Sequence, residues 1–198
     1  ASDVYKRQEM GYPYIFFTDN ANNNAADVYK DKKLPIYASN LCTEIMLPSD
    51  HNWSFVCVLS SINVLHYDKW KDTDAVETMI YFLDAVITEF LEKLEKYKNS
   101  ENRDDQQTFL FMERAYNFSK ENRALGMGVL GWHSLLQSKM LPFDSQEAYD
   151  LNSEVFKYIQ ARSHVASENL AEKFGEPELL KGYGRRNTTL NAIAPTTS

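Results

Sequence analysis

An α/β fold is what this sequence predicts, and three observations predict it. Short apolar runs at 12–17, 124–131 and 188–193 read as buried strands. Long segments between them carry apolar residues at helical spacing, most clearly over 76–97. Capping and turn residues stand where one pattern gives way to the other. Strands alternating with helices define the α/β class, and in such sheets chemistry collects at the carboxyl ends of the strands.

Residues 1–10 show no clear periodicity and read as a poorly ordered or non-native end. The aromatic and β-branched run 12–17 predicts a strand, followed by the Asn-rich stretch 19–24, whose side chains favour turns. Residues 43–47 and 54–64 read as two extended segments around 48–52, a hairpin-like return that brings Cys42 and Cys57 into one neighbourhood. Asp74 with Glu77 marks the start of a first helix, whose inward residues are Val76, Met79, Ile80, Leu83, Val86, Ile87, Phe90, Leu91, Leu94 and Tyr97. Asp104 with Gln107 opens a second, with Leu110, Met112, Ala115 and Phe118 inward. Asp144 with Glu147 opens a third, with Leu151, Val155, Ile159, Val165 and Leu170 inward and Gly175 as its stop. The glycine-rich run 124–131 predicts a closely packed strand leading into a helix over 132–139.

The chain has 198 residues, enough for a sizeable core. Its 43% hydrophobic and 13% aromatic content is that of a folded chain. A net charge of −7 argues against nucleic acid or an anionic membrane as partner. No apolar run approaches the roughly 18 residues of a membrane span, and no secretory signal opens the chain. Two cysteines are too few for a disulfide framework, which points to a reducing, cytoplasmic location.

The chemistry concentrates in Ser39-Asn40-Leu41-Cys42-Thr43-Glu44. In an extended segment Asn40, Cys42 and Glu44 share one face, which then carries an amide, a thiol and a carboxylate. Cys57, between Val56 and Val58, reads by itself as a small core residue. The four histidines are scattered and no metal-ligand spacing exists, so no metal site is expected. Asp84, Glu89, Glu92 and Glu95 read as a solvated helix face. Gly126-x-Gly128-x-x-Gly131 matches a dinucleotide fingerprint only in letters, because it lies inside the predicted strand. The terminal Pro195-Thr196-Thr197-Ser198 reads either as an anion cradle or as an ordinary N-cap with spare hydroxyls.

Asn40-Leu41-Cys42-Thr43-Glu44-Ile45, with Val56-Cys57 fifteen positions after the first cysteine, resembles the large, catalytic subunit of class I ribonucleotide reductase. The blocks Gly11-Tyr12-Pro13-Tyr14-Ile15, Asn122-Arg123-Ala124-Leu125-Gly126-Met127-Gly128-Val129 and Arg186-Asn187-Thr188-Thr189-Leu190, before Ala194-Pro195-Thr196-Thr197-Ser198, follow that family's order and spacing. The resemblance covers everything from about residue 11 onward. It implies part of a ten-stranded α/β barrel with a central finger loop, over 11–198 and incomplete at both ends.

The resemblance also implies roles. Cys42 becomes a thiyl radical that removes the 3′ hydrogen of a ribonucleotide, Glu44 takes the 3′-hydroxyl proton and Asn40 binds the sugar. Cys57 is one half of a reducing dithiol. Thr196, Thr197 and Ser198 bind the substrate's phosphates. A hydrogen-atom donor of this kind is expected to be buried and neutral. No cofactor is expected on the chain itself: the radical comes from a separate metal-containing small subunit, and ATP or dNTP effectors bind outside this segment. The remaining expected partners are a ribonucleoside diphosphate, thioredoxin or glutaredoxin, and a second large subunit in a homodimer. No cysteine precedes Cys42 to complete the dithiol, so the segment alone is expected to be inactive. Two other readings compete, a non-enzymatic helical interaction module and a simple thiol redox protein pairing Cys42 with Cys57.

Overall fold

The strongest amphipathic patterns of the chain become its three longest helices. In the computed structural model, which describes residues 2–196, α1 (Ser2–Met10), α2 (Thr18–Asn23) and α3 (Asp27–Asp31) precede strand β1 (Leu59–Asn63). A 3₁₀ turn and α4 (Tyr67–Trp70) lead to α5 (Ala75–Lys98) and α6 (Arg103–Asn122). Strand β2 (Gly126–Leu130), α7 (Trp132–Ser138) and α8 (Gln146–Phe174) follow. No helix among the described residues is long and apolar enough to cross a membrane.

β1 and β2 pair in parallel, Leu59 opposite Gly126 through Asn63 opposite Leu130. A parallel pair needs a crossover, and α5 and α6 form it. The segment after residue 188 runs along the other side of β2: Leu125 N donates to Thr189 O at 3.0 Å, Met127 N to Leu190 O at 2.8 Å and Ala192 N to Met127 O at 3.2 Å. Pairing there amounts to a single parallel bridge, Met127 with Asn191, and not the full strand expected over 188–193. Gly128 sits where a Cβ would lie 2.5 Å from the Ala192 carbonyl oxygen, so its lack of a side chain permits this approach. Ile80, Leu83 and Ile87 of α5, Val155, Ile159 and Leu170 of α8, Met127 and Val129 of β2, and Leu190 form the main core.

Several local expectations are corrected. Residues 12–17 form no strand; their aromatic side chains stay largely exposed, and regular structure resumes only at α2. Residues 43–47 and 54–58 are irregular, and only 59–63 of the second run is strand, so no hairpin forms. Residues 2–10 are helical with no buried side chain. Asp74 stands at the N-cap of α5, but its side chain makes no capping bond. At the next two long helices the capping side chains are Asn102, accepting from Asp104 N, and Ser145, accepting from Ala148 N, two residues and one residue from the aspartates expected. Gly175 ends α8 as expected. Leu110, Val86 and Val165 face outward.

The largest correction concerns Asp84. It lies four residues after Ile80 and three before Ile87, so helical geometry puts it on the apolar face of α5. Only 3% of it is exposed. Arg123 Nε donates to its Oδ1 at 2.8 Å, Arg186 Nε to its Oδ2 at 3.1 Å and Asn187 Nδ2 to its Oδ1 at 2.9 Å. Glu89, Glu92 and Glu95 are exposed, as expected of a solvated face. Burial alone would push the Asp84 carboxyl up, but the Arg123 guanidinium, the Asn187 amide and Arg186 outweigh it and hold the group below the ordinary carboxylate range.

Removing one partner of a buried ion cluster leaves the others uncompensated. Asp84→Ala should therefore destabilise the chain by about 3–5 kcal/mol in urea unfolding at pH 7. A depressed carboxyl contributes stability above its unfolded pKa and loses it as pH falls, so the deficit of the variant should shrink below about pH 4. Gly128→Ala should cost about 1–3 kcal/mol in the same measurement, because the Ala192 carbonyl must move.

Candidate active site

Asn40 organises the 39–45 turn. Its backbone N donates to Ile45 O at 3.1 Å, and its side-chain Oδ1 accepts from Ile45 N at 3.0 Å. Its Nδ2 donates to Glu44 Oε2 at 2.8 Å, and its carbonyl accepts from Thr43 N at 3.1 Å. Asparagine suits this place because its short amide satisfies backbone groups that a turn leaves open. Thr43 adopts φ 66°, a left-handed conformation that is uncommon for a β-branched residue and costs about 1–2 kcal/mol. The alternating-face reading is thereby corrected. Asn40 and Glu44 meet across the base of a closed turn, and Cys42 stands at its tip.

Both cysteines are free and exposed. For Cys42 this departs from the expected burial, since the tip projects away from the core and no described segment covers it. For Cys57 it overturns the reading as a core residue, because 54–58 is irregular and its side chains do not alternate into a sheet. Cys57 instead belongs to the turn's surroundings. Its thiol is pushed up by partial burial first, then by the Glu44 carboxylate; the Asn40 side chain pulls the other way and Cys42 adds a smaller upward push. Asn40, Glu44, Cys42 and Cys57 therefore lie within one electrostatic neighbourhood.

Cys42 and Pro195 line the same cleft, about 420 Å³ in volume, with Tyr14 and Thr43. The terminal loop therefore arrives beside the cysteine. Thr196 is exposed, and its Oγ1 lies 3.3 Å from the Oγ of Ser61, in the middle of β1. Thr197 and Ser198 lie outside the described residues. Among the described residues, no group of three or more His, Cys, Asp or Glu side chains is placed to hold a metal ion.

The polar node at the start of the segment leading to this loop was not expected from the sequence. Arg186 and Asn187 reach Asp84, and the signal was available in the stripe Glu77, Ile80, Asp84, Ile87, which keeps helical spacing through two carboxylates.

The family model for "Ribonucleotide reductase, barrel domain" matches residues 4–182. The chain belongs to the ribonucleotide reductase barrel-domain family. It is 38% identical over 189 residues to a candidate ribonucleoside-diphosphate reductase large subunit of Frog virus 3 (isolate Goorha), covering 96% of this chain and 32% of that one. It is 34% identical over 193 residues to the ribonucleoside-diphosphate reductase large subunit of Invertebrate iridescent virus 3, covering 97% and 28%. The solved Actinobacillus ureae class Id ribonucleotide reductase alpha subunit superposes with a TM-score of 0.89 at 52% identity, over 99% of this chain and 35% of that chain. The fold is thus that of a segment of the reductase α/β barrel, rich in helix, and it spans about a third of these relatives' length.

Because the Glu44 carboxylate raises the Cys57 thiol, Glu44→Gln should lower it. Alkylation of Cys57 by iodoacetamide at pH 8, followed by peptide mass spectrometry, should then be faster in the variant. An unchanged or slower rate would place Glu44 away from Cys57.

Proposed function

We propose that this chain is the catalytic segment of a ribonucleoside-diphosphate reductase large subunit. The observation that carries the reading is the closed turn, with Asn40 on Glu44 at 2.8 Å, Cys42 at its tip and Cys57 in the same electrostatic field. Family membership supports this reading over a helical interaction module or a simple thiol redox protein.

The roles follow from the chemistry of each group. Cys42, as a thiyl radical, takes the 3′ hydrogen atom of a ribonucleoside diphosphate. Glu44 accepts the 3′-hydroxyl proton, and the Asn40 amide holds both Glu44 and the sugar hydroxyls. The 2′-hydroxyl leaves as water. Two electrons come from a dithiol that becomes a disulfide, with Cys57 as one sulfur and a thiol from elsewhere in the subunit as the other. Cys42 returns its hydrogen atom to C3′ and is a radical again. Thr196, with Thr197 and Ser198, holds the phosphates through hydroxyl and backbone N–H donors, which an anionic ligand needs on a chain of net charge −7.

The radical reaches Cys42 from a separate metal-containing small subunit, and thioredoxin or glutaredoxin restores the dithiol. ATP or dNTP effectors act outside this segment, and the full-length subunit works as a homodimer in the cytoplasm. The rest of the subunit supplies the cover that the Cys42 tip requires.

In the full-length subunit with its small subunit, Cys42→Ser should reduce deoxyribonucleotide formation to background while leaving the thermal midpoint unchanged. Retained turnover would remove Cys42 from the radical role. The 198-residue chain by itself should form no deoxyribonucleotide.

A further inference from the structure

The carboxylate of Asp84 belongs to no part of the proposed reaction, yet it is the point where four separate segments meet. From α5 it reaches Arg123, which ends α6 in a left-handed conformation at φ 43°. Arg123 also donates through its second terminal nitrogen to the Asp84 carbonyl at 2.8 Å and to Thr88 Oγ1 at 2.6 Å. From the other side come Arg186 and Asn187. Arg186 donates in addition to the Phe174 and Gly175 carbonyls at the end of α8, at 3.1 and 2.6 Å. The Asn187 amide uses both its donors and its oxygen: Nδ2 donates to Asp84 at 2.9 Å and to the Arg123 carbonyl at 2.9 Å, and Oδ1 accepts from Ser167 of α8 at 2.8 Å.

Stability by itself does not account for this arrangement. A buried cluster of one carboxylate and two guanidiniums is often no more stabilising than packed apolar side chains of similar volume. What it supplies is register. The segment that follows Asn187 is held to β2 by few backbone bonds, and it ends at Pro195 and Thr196 beside Cys42. A one-residue slip along β2 would turn every side chain of the segment to its opposite face and move Thr196 by about 3.3 Å. That is enough to break any hydrogen bond to a phosphate oxygen. Asn187 resists the slip because its amide has one set of partners; Ser167 Oγ accepts from the backbone N–H groups of both Arg186 and Asn187, and Asp84 takes the side chains of both.

We propose that Asp84 is a positioning residue for substrate phosphate, acting through Arg186 and Asn187 to fix the register of the segment that delivers Thr196 to the cleft of Cys42. This rests on the reading of the terminal loop as the phosphate site, and it assigns Asp84 no contact with substrate.

The test uses the full-length subunit with its small subunit, comparing Asp84→Asn with the unchanged protein. The variant keeps the side chain's shape but removes the charge that both arginines face. KM for a ribonucleoside diphosphate should rise about tenfold, the loss of roughly one charge-assisted hydrogen bond, with kcat at saturation changed less than about threefold. Affinity for the corresponding ribonucleoside, which has no phosphates and is measured by calorimetry, should be unchanged. A fall in kcat or thermal midpoint with KM for the diphosphate unaltered would overturn the proposal and leave Asp84 a purely structural residue. Equal weakening of nucleoside and nucleotide would overturn it too. If circular dichroism shows Asp84→Asn unfolded, Arg186→Lys, which keeps the charge but loses the fork between Asp84 and the end of α8, decides by the same two ligands. Retained turnover in Cys42→Ser would instead sink the underlying active-site reading, so the two failures are distinguishable.

Discussion

A carboxylate inside a protein costs several kcal/mol unless charged and hydrogen-bonded partners surround it. That constraint shapes this chain around Asp84. Its partners come from the end of α6, from α8 by way of Ser167, and from the segment entering the terminal loop. Each must be in place before the carboxylate is satisfied. Helix packing and the course of the 186–196 segment therefore form together. The parallel pair β1–β2 lies next to this node, and its glycines let the terminal segment approach closely.

A second pair repeats the pattern with a difference. Glu77, buried on α5, contacts the partly exposed Arg162 on α8, but Glu77 Oε2 and Arg162 Nε have no hydrogen-bond partner among the described residues. Both carboxylates fasten α5 to the rest of the core, and only Asp84 also reaches the segment that leads toward Cys42. Near that cysteine the constraint is local. Asn40 closes the turn through both its backbone and its side chain, and Thr43 carries the backbone strain. Strain of that kind persists when surrounding bonds over-determine it, and it gathers at functional sites.

The helices were legible because burial follows the 3.6-residue repeat, and α5, α6 and α8 each bury enough apolar surface to obey it. Caps were legible to within a residue or two, because several neighbouring side chains compete to bond the first free N–H groups. The run 12–17 misled because aromatic, β-branched residues have strand-like composition but no pairing partner within the described chain. Asn40, Cys42 and Glu44 were legible as a group, although not their geometry: a strand and a tight turn can both bring alternate residues together, and the turn's φ at Thr43 leaves no mark in the letters. Asp84 was misread because its charge was weighed above its place in the helical repeat. The blocks that contain Arg123 and Arg186 were visible, but contacts across 39 and 102 positions of sequence separation cannot be read from local pattern.

In the proposed function the Asn40–Glu44 turn and the 186–196 segment converge on one substrate, with the cysteine at the sugar and the hydroxyl loop at the phosphates. A crystal structure of the full-length subunit with a ribonucleoside diphosphate bound tests it most directly. The ribose C3′ should lie at about 3–3.5 Å from Cys42 Sγ, the near-attack range. The 3′-hydroxyl should sit on Glu44 and the phosphates on Thr196 and its neighbours. A nucleotide bound with its phosphates away from that loop, or its ribose away from Cys42, would contradict it.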